Sequence, residues 1–205
     1  MPVTINGSGS ITGLAVGGLP DGSVDADTLA SNAVTTAKLA NGAATQAKRT
    51  YANDEIIQLK YGTDTSQINL TSNASYQEIG FTTTITPTSS SSDIMVMCDL
   101  PWDLYTASNG ADAGIRFKLT RTVSGTETTL YEDTNAASTY NYSSNSRTQV
   151  RATRIINYKD TSISTTSAAT YKVYCLPLNT SSAATKVATN NTITTMILME
   201  ISYGT

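Results

Sequence analysis

Apolar and polar residues alternate with a period of two from about residue 63 onward. Residues 75–86 place Ile79, Phe81 and Ile85 on one face, which is typical of a strand with one buried side. Runs of the same kind, or of continuous apolar residues, predict further strands at residues 93–100, 115–122, 128–131, 148–158, 170–178 and 192–203. Turn-forming residues separate these runs, so we predict an all-β sandwich of seven or eight strands.

Three details refine this prediction. Residues 93–100 and 196–199 are apolar on both faces, so we expect their strands to lie centrally or at a subunit interface. In residues 115–122 Arg121 falls on the inward phase, and we expect the buried part of that strand to end before it. The polar composition of residues 105–114 and 134–147 predicts two loops.

A helical pattern interrupts the strands before residue 63. Ile56 and Leu59 are three positions apart, which suits one face of a short helix, with Asn53 or Asp54 as its N-cap and Gly62 as its stop. Such a helix would place the two apolar side chains either at the axis of a three-chain bundle or against their own domain.

Residues 21–50 consist of three consecutive blocks of ten, DGSVDADTLA, SNAVTTAKLA and NGAATQAKRT. The fourth position holds Val24, Val34 and Ala44, and the ninth holds Leu29, Leu39 and Arg49. One such block cannot bury enough apolar surface to offset its ordering entropy, about 1–2 kcal/mol per residue for the backbone alone. The repeats therefore predict a self-associating stalk. The alternative is a flexible polar linker.

Composition supports the all-β prediction and excludes several classes of protein. The chain has 36 Thr and 23 Ser among its 205 residues, only 14% of residues are charged, and the net charge is −3. β-Branched Thr suits half-exposed strands, and a weakly acidic chain without charge runs is not expected to bind nucleic acid. No stretch approaches the roughly 20 apolar residues of a membrane span. The first ten residues lack the pattern of a secretory signal, so we expect synthesis and folding in a cytoplasm.

The candidate chemistry is sparse. The chain has no histidine and two cysteines, so a Ser–His–Asp or Cys–His arrangement cannot be built. Cys98 and Cys175 lie in strand-like apolar runs and are expected to be buried, although adjacent strands would permit a disulfide. Asp99 and Asp103 flank Trp102, but we expect this Trp to belong to the core. We therefore predict no enzyme activity, no cofactor and no metal site.

The quoted repeats and the later strands carry a resemblance. The pieces DGSV at residues 21–24 and VTTAKLA at residues 34–40 resemble repeats of tail-fibre and other virion structural proteins of marine and cyanobacterial bacteriophages. The run YQEIGFTTTITPTSSSSDIMVMCDL and the final strand with LMEI are similar to trimeric jelly-roll heads of the tumour-necrosis-factor or C1q type. The resemblance implies a homotrimeric virion protein with a jelly-roll head of about eight strands.

The resemblance also implies three parts. Residues 1–20 would be an attachment arm, residues 21–62 a repeat stalk with the short helix, and residues 63–205 the head. In one interpretation the trimer is a tail fibre or appendage anchored through residues 1–50 to other virion proteins, and the head contacts a host surface glycan. In the other it is a capsid decoration (cement) or head-fibre protein that stabilises the shell.

Two predicted loops are the candidate contact surfaces. Tyr and small polar residues give contact area and hydrogen bonding at low entropic cost, and weak contacts gain avidity in a trimer. The candidate residues are Tyr105, Asn109 and Asp112 in one loop and Tyr140, Asn141 and Tyr142 in the other.

Overall fold

The computed structural model describes most of the chain beyond residue 53. The described residues are 4–5, 11–12, 29, 31, 33–35, 39, 54–71, 73–106, 112–134, 137–140, 148–178, 183–187 and 192–202. The chain divides into two compact units, residues 1–50 and residues 51–205.

The first unit contains one small antiparallel pairing among its described residues. Strand β1 (Thr4–Ile5) pairs with β2 (Ile11–Thr12). Within the repeats, the side chains of Leu29, Val34 and Leu39 are exposed. The rest of the predicted arm and stalk in residues 1–50 lies outside the described residues, so their self-association stays a prediction.

The second unit is built from two antiparallel sheets, and the predicted all-β sandwich is confirmed. The first sheet contains β3 (Ile56–Asp64), β4 (Ile68–Leu70), β6 (Asp93–Thr106), β10 (Thr148–Asp160), β12 (Ala183–Val187) and β13 (Thr194–Ile201). The second sheet contains β5 (Gln77–Ile85), β7 (Asp112–Val123), β8 (Thr126–Glu132), β9 (Ala137–Tyr140) and β11 (Ala169–Pro177).

The long strand β6 organises the first sheet. On one side it pairs along its whole length with β10. On its other side β13 covers residues 93–99 and β12 covers residues 102–106. Pro101, which has no backbone N–H to donate, lies in the gap between those two partners. Eight strands form the main part of the two sheets, in the orders β3-β13-β6-β10 and β5-β11-β7-β8. Along the chain these strands alternate between the two sheets except at the β7–β8 hairpin, as in a jelly roll.

Alternate residues of both sheets point into a shared core. Its largest fully buried apolar side chains come from β5, β6, β7, β11 and β13, and include Ile85, Leu100, Phe117, Tyr171 and Leu198. Burial alternates strictly in β5, β11 and β13, as the period of two predicted.

The predicted short helix is wrong, and the structure has no helix among its described residues. Ile56 and Leu59 belong to β3, which pairs with β13 along nearly its whole length. Non-local pairing with the end of the chain thus overrides a weak local pattern. The first sheet consequently begins before residue 63, and both apolar side chains are exposed.

The predicted end of the buried segment in β7 is also wrong. Arg121 is buried, because its Nη1 lies 2.8 and 2.7 Å from the two carboxylate oxygens of Asp160. Tyr171 donates a further hydrogen bond of 2.8 Å to Asp160. An ionic side chain is stable inside a sandwich when its charge is paired and hydrogen-bonded in this way.

The second unit has two distinguishable ends. We call one end the base. The chain enters the second unit there, and its last described strand ends there, because the two segments are hydrogen-bonded to each other: the N–H of Asp54 donates to the carbonyl of Ser202, and the N–H of Ser202 donates to the carbonyl of Glu55. Strand β6 begins at the base and ends at the opposite end, which we call the tip. Fourteen residues of strand span about 40 Å at roughly 3.3 Å per residue.

Candidate functional site

Three of the six candidate contact residues lie in strands rather than loops. Tyr105 is the penultimate residue of β6, Asp112 begins β7 and Tyr140 ends β9, so the loop prediction is wrong for these three. Strand β6 continues past its predicted end at residue 100, with Leu104 and Thr106 buried, and Thr106 lies inside the predicted loop. Asn109, Asn141 and Tyr142 lie outside the described residues.

The strand ends that flank both predicted loops meet at the tip. Thr106, which ends β6, pairs with Thr148, which begins β10. Asp112, which begins β7, pairs with Tyr140, which ends β9. Residues 107–111 and 141–147 therefore connect the same two pairs of strand ends. The structure thus brings together the strand ends on either side of two segments that are far apart in the sequence.

A third connection starts and ends beside the first two. Strand β11 ends at Pro177, which pairs with Ile115 of β7, and β12 begins at Ala183, which pairs with Thr106. The sequence between these two strand ends, residues 179–182, reads NTSS. Sequence reasoning missed this segment because the short strand β12 carries no apolar alternation.

A buried carboxylate supports the outer side of the tip beneath Tyr105. Asp103 accepts hydrogen bonds from Gln149 Nε2 at 2.9 and 2.7 Å and from Arg151 Nε at 3.1 Å. Both donors are on β10, directly beside the end of β6. Charge-assisted hydrogen bonds of this kind hold neighbouring strand ends in register. Tyr105 itself is half-buried.

A second buried carboxylate fixes the base. One oxygen of Glu200 accepts hydrogen bonds from the backbone and hydroxyl of Thr88 at 2.7 and 2.8 Å, and the other accepts from Gln58 Nε2 at 2.6 Å. Burial by itself raises the pKa of the Glu200 carboxyl, but hydrogen bonds from Gln58 and Thr88 to the carboxylate together lower it by more. The pKa of Glu200 therefore lies below its usual value. The ionised form therefore ties the β5–β6 turn to β3 and β13.

The outer face of the first sheet is apolar toward the base. In β13 every second residue points outward, and the strand registers place these residues beside outward residues of β3 and β6. One row contains Leu59, Met199 and Met95, and the next contains Tyr61, Ile197 and Met97. We call this surface the apolar face and define it as Ile56, Leu59, Tyr61, Met95, Met97, Ile155, Ile197, Met199 and Ile201.

The outer face of the second sheet is polar by contrast. Lys172 forms an ion pair of 3.3 Å with Glu78, and the hydroxyls of Thr84 and Thr170 are 2.8 Å apart. The ammonium of Lys118 lies 4.6 Å from the ring centroid of Tyr174. Only the first sheet therefore presents an extended apolar outer surface within the described residues.

The two cysteines and the Trp that the sequence offers for chemistry lie in the interior of the head. Cys98 and Cys175 are buried and free, so they form no disulfide, and Trp102 belongs to the core. Burial raises the pKa of the Cys98 thiol to about 12. Across the part of the chain that the structure describes, no group of three or more His, Cys, Asp or Glu could hold a metal ion. The same part contains no helix long and apolar enough to cross a membrane.

Comparisons with known proteins yield distant structural likenesses. No family model matches the chain, and no curated protein matches it. The structure of infectious bursal disease virus Gx strain matches with 14% identity and a TM-score of 0.33, over 72% of this chain and 37% of that chain. The Gt strain structure matches with 12% identity and a TM-score of 0.33, over 75% and 40% of the two chains.

A crystal structure of the VP2 subviral particle of infectious bursal disease virus also matches, with 12% identity and a TM-score of 0.33, over 72% of this chain and 38% of that chain. The chain thus spans less than half the length of each matched viral chain.

Proposed function

We propose that this chain is a structural virion protein of a bacteriophage. In this proposal it forms a homotrimeric tail fibre or tail appendage, residues 1–50 attach it to other virion proteins, and the jelly-roll head contacts the host surface. The role is structural rather than catalytic. The repeats at residues 21–50, which resemble those of bacteriophage virion proteins, are the sequence feature that motivates it.

The observation that carries the proposal is that the head has two opposite ends, one where the chain enters and one where the candidate contact residues Tyr105 and Tyr140 lie. The chain enters at the base, where Asp54 and Glu55 are hydrogen-bonded to Ser202. The ends of β6, β9 and β11 lie at the tip, about 40 Å away along β6 at roughly 3.3 Å per residue. An appendage needs this arrangement, because its attachment end and its contact end must face in opposite directions.

Composition supports the tip as the contact end. The segments 107–111, 141–147 and 179–182 read ASNGA, NYSSNSR and NTSS. Tyr105 and Tyr140 lie at the strand ends that precede the first two segments. Tyr, Ser, Asn and Gly are the residues that adaptable binding loops use most. Their hydroxyl and amide groups suit a host glycan, and three tips on one trimer would multiply weak contacts.

The alternative role is a capsid decoration or head-fibre protein. The observation that favours it is the shortness of the stalk, since three blocks of ten residues make a short shaft for a fibre. In that role residues 1–50 would bind the shell, and the tip would have no receptor.

Localisation tests the proposal directly. The protein is labelled with specific antibodies on intact particles, and the label is located by electron microscopy. Label on the tail or its fibres is the expected result. Label spread over the capsid would reject the tail role in favour of the decoration role, and particles without label would reject both.

A further inference from the structure

We infer that the apolar face is the surface through which copies of this chain pack against one another. This rests on the proposed homotrimer and adds the face and the orientation of its subunits. The occupant of the face is a sister copy, with the bases of all copies at the same end.

The exposed large hydrophobic side chains of the second unit are concentrated on this face. Among described residues beyond position 50, they are Ile56, Leu59, Tyr61, Met97, Ile155 and Ile193. The registers place the first five on the outer side of the first sheet. Exposure reaches 61% for Tyr61 and 59% for Ile155. A contiguous patch of this kind marks an interaction surface rather than the scatter expected of a free monomer.

The composition of the face fits a protein interface. Its two central rows contain Leu, Met, Ile and Tyr and no charged residue across β3, β13 and β6. Charged residues border these two rows: Asp93 on the base side, where it forms an ion pair of 2.8 Å with Lys159, and Asp99 on the tip side, beside Ile155. Charge depletion at the centre, Met and aromatic enrichment and a polar rim are the features that distinguish interface cores from other surface.

The path of the chain identifies the occupant as a second copy. Strand β3, one side of the face, is the first element after the repeats and begins at the base. In the repeats Leu29, Val34 and Leu39 are also exposed, and one copy of such a segment needs partner copies to bury them. The repeats and strand β3 thus both expose apolar side chains that a second copy would bury.

The same path sets the orientation. Residues 1–50 precede the base-side start of β3 in the sequence of every copy, so association of the repeats favours an arrangement with the bases together. Packing of the base-side apolar face around a common axis then brings the repeats together and directs all tips the same way. Toward the tip the outer face turns polar, with Asp103, Gln149 and Arg151, and stays in solvent.

Cysteine cross-linking of the full chain tests this inference. Both native cysteines are buried, so an introduced surface cysteine is the accessible thiol. Met97→Cys lies at the centre of the apolar face, and Thr82→Cys, exposed on the outer side of the second sheet, is the matched control. With a short bismaleimide, Met97→Cys should give covalently linked copies in at least tenfold higher yield than Thr82→Cys.

Charge substitution supplies the second measurement. Sedimentation of Met97→Lys should show weaker association than wild type, whereas Thr82→Lys should match wild type. Protection of Cys98 and Cys175 from thiol reagents verifies that each variant is folded. Equal cross-linking at positions 82 and 97, or a wild-type monomer, overturns the inference. Particle localisation tests the proposed function separately, so the two failures are distinguishable.

Discussion

Arg121 of β7 and Asp160 at the end of β10 form an ion pair that joins the two sheets inside the base. The Asp160 side chain is fully buried and that of Arg121 is 10% exposed. Ser162 and Tyr171 donate to the same carboxylate. Strands from both sheets and the β10–β11 connection therefore depend on one charged group.

Removal of Arg121 should destabilise the head strongly. Arg121→Met leaves the Asp160 carboxylate buried without its cation, which costs about 3–5 kcal/mol of unfolding free energy. Urea unfolding followed by circular dichroism measures this loss. Lys172→Ala is the control, because its ion pair with Glu78 lies on the surface and is worth about 0–1 kcal/mol. Equal losses in both variants would contradict the structural role of the buried pair.

The stability of the base should depend on pH through Glu200. Its pKa in the folded chain lies below the usual 4.5, so the stabilisation is fully present above about pH 4.5 and is lost as pH falls through the folded pKa. Glu200→Gln should therefore weaken the head at pH 7 and flatten the fall in stability between pH 5 and about pH 3. Unfolding free energies across this range provide the measurement, with exposed Glu127→Gln as control. A Glu200→Gln curve parallel to wild type would argue against this assignment.

The two thiols should be unreactive in the folded protein. Cys98 and Cys175 are buried, and burial raises the pKa of Cys98 to about 12 and that of Cys175 well above its usual value. The thiolate is the reactive form. A disulfide-exchange reagent should therefore modify neither cysteine in buffer and both in denaturant. Rapid modification in buffer would indicate that the core opens.

Gly114 should not tolerate a side chain. A Cβ at this position would lie 2.6 Å from Leu178 Cδ1 and 3.1 Å from the carbonyl oxygen of Ala137. Leu178 directly precedes the third tip connection, and its N–H donates to the carbonyl of Gly114. Overpacking of this kind typically costs about 1–3 kcal/mol, so Gly114→Ala should lower the unfolding midpoint. Thr84→Ala on the outer surface is the comparison, and equal midpoints would refute the close approach.

The sequence predicted the elements in which local pattern and tertiary environment agree. Strands β5, β7 and β13 have one face in the core or carry long apolar runs, so periodicity identifies them. Strands β4 and β12 are short and rich in Thr, Ala or Asn. Only the pairing of β12 with β6 and of β4 with β12 reveals them. The polar composition of residues 105–114 predicts a loop at Tyr105, whereas pairing with β10 and β12 extends β6 through that residue.

The apolar face could be predicted only in part. Continuous apolar runs at residues 93–100 and 196–199 indicated a second contact surface, since one face of each strand already fills the core. Tyr61 and Ile155 gave no comparable signal, because their position on the same face depends on the registers of β3 with β13 and of β10 with β6. At Tyr61 and Ile155 those registers join residues more than fifty positions apart and leave no local pattern.

The place of β13 between β3 and β6 has a consequence for synthesis. Neither neighbour can complete its hydrogen bonds until residues 194–201 have left the ribosome, and β6 also waits for β10 and β12. Contacts between such distant residues make folding slow. A chain truncated before residue 194 would lack the strand that joins β3 to β6, so that copy could neither complete the first sheet nor present an intact apolar face to another copy.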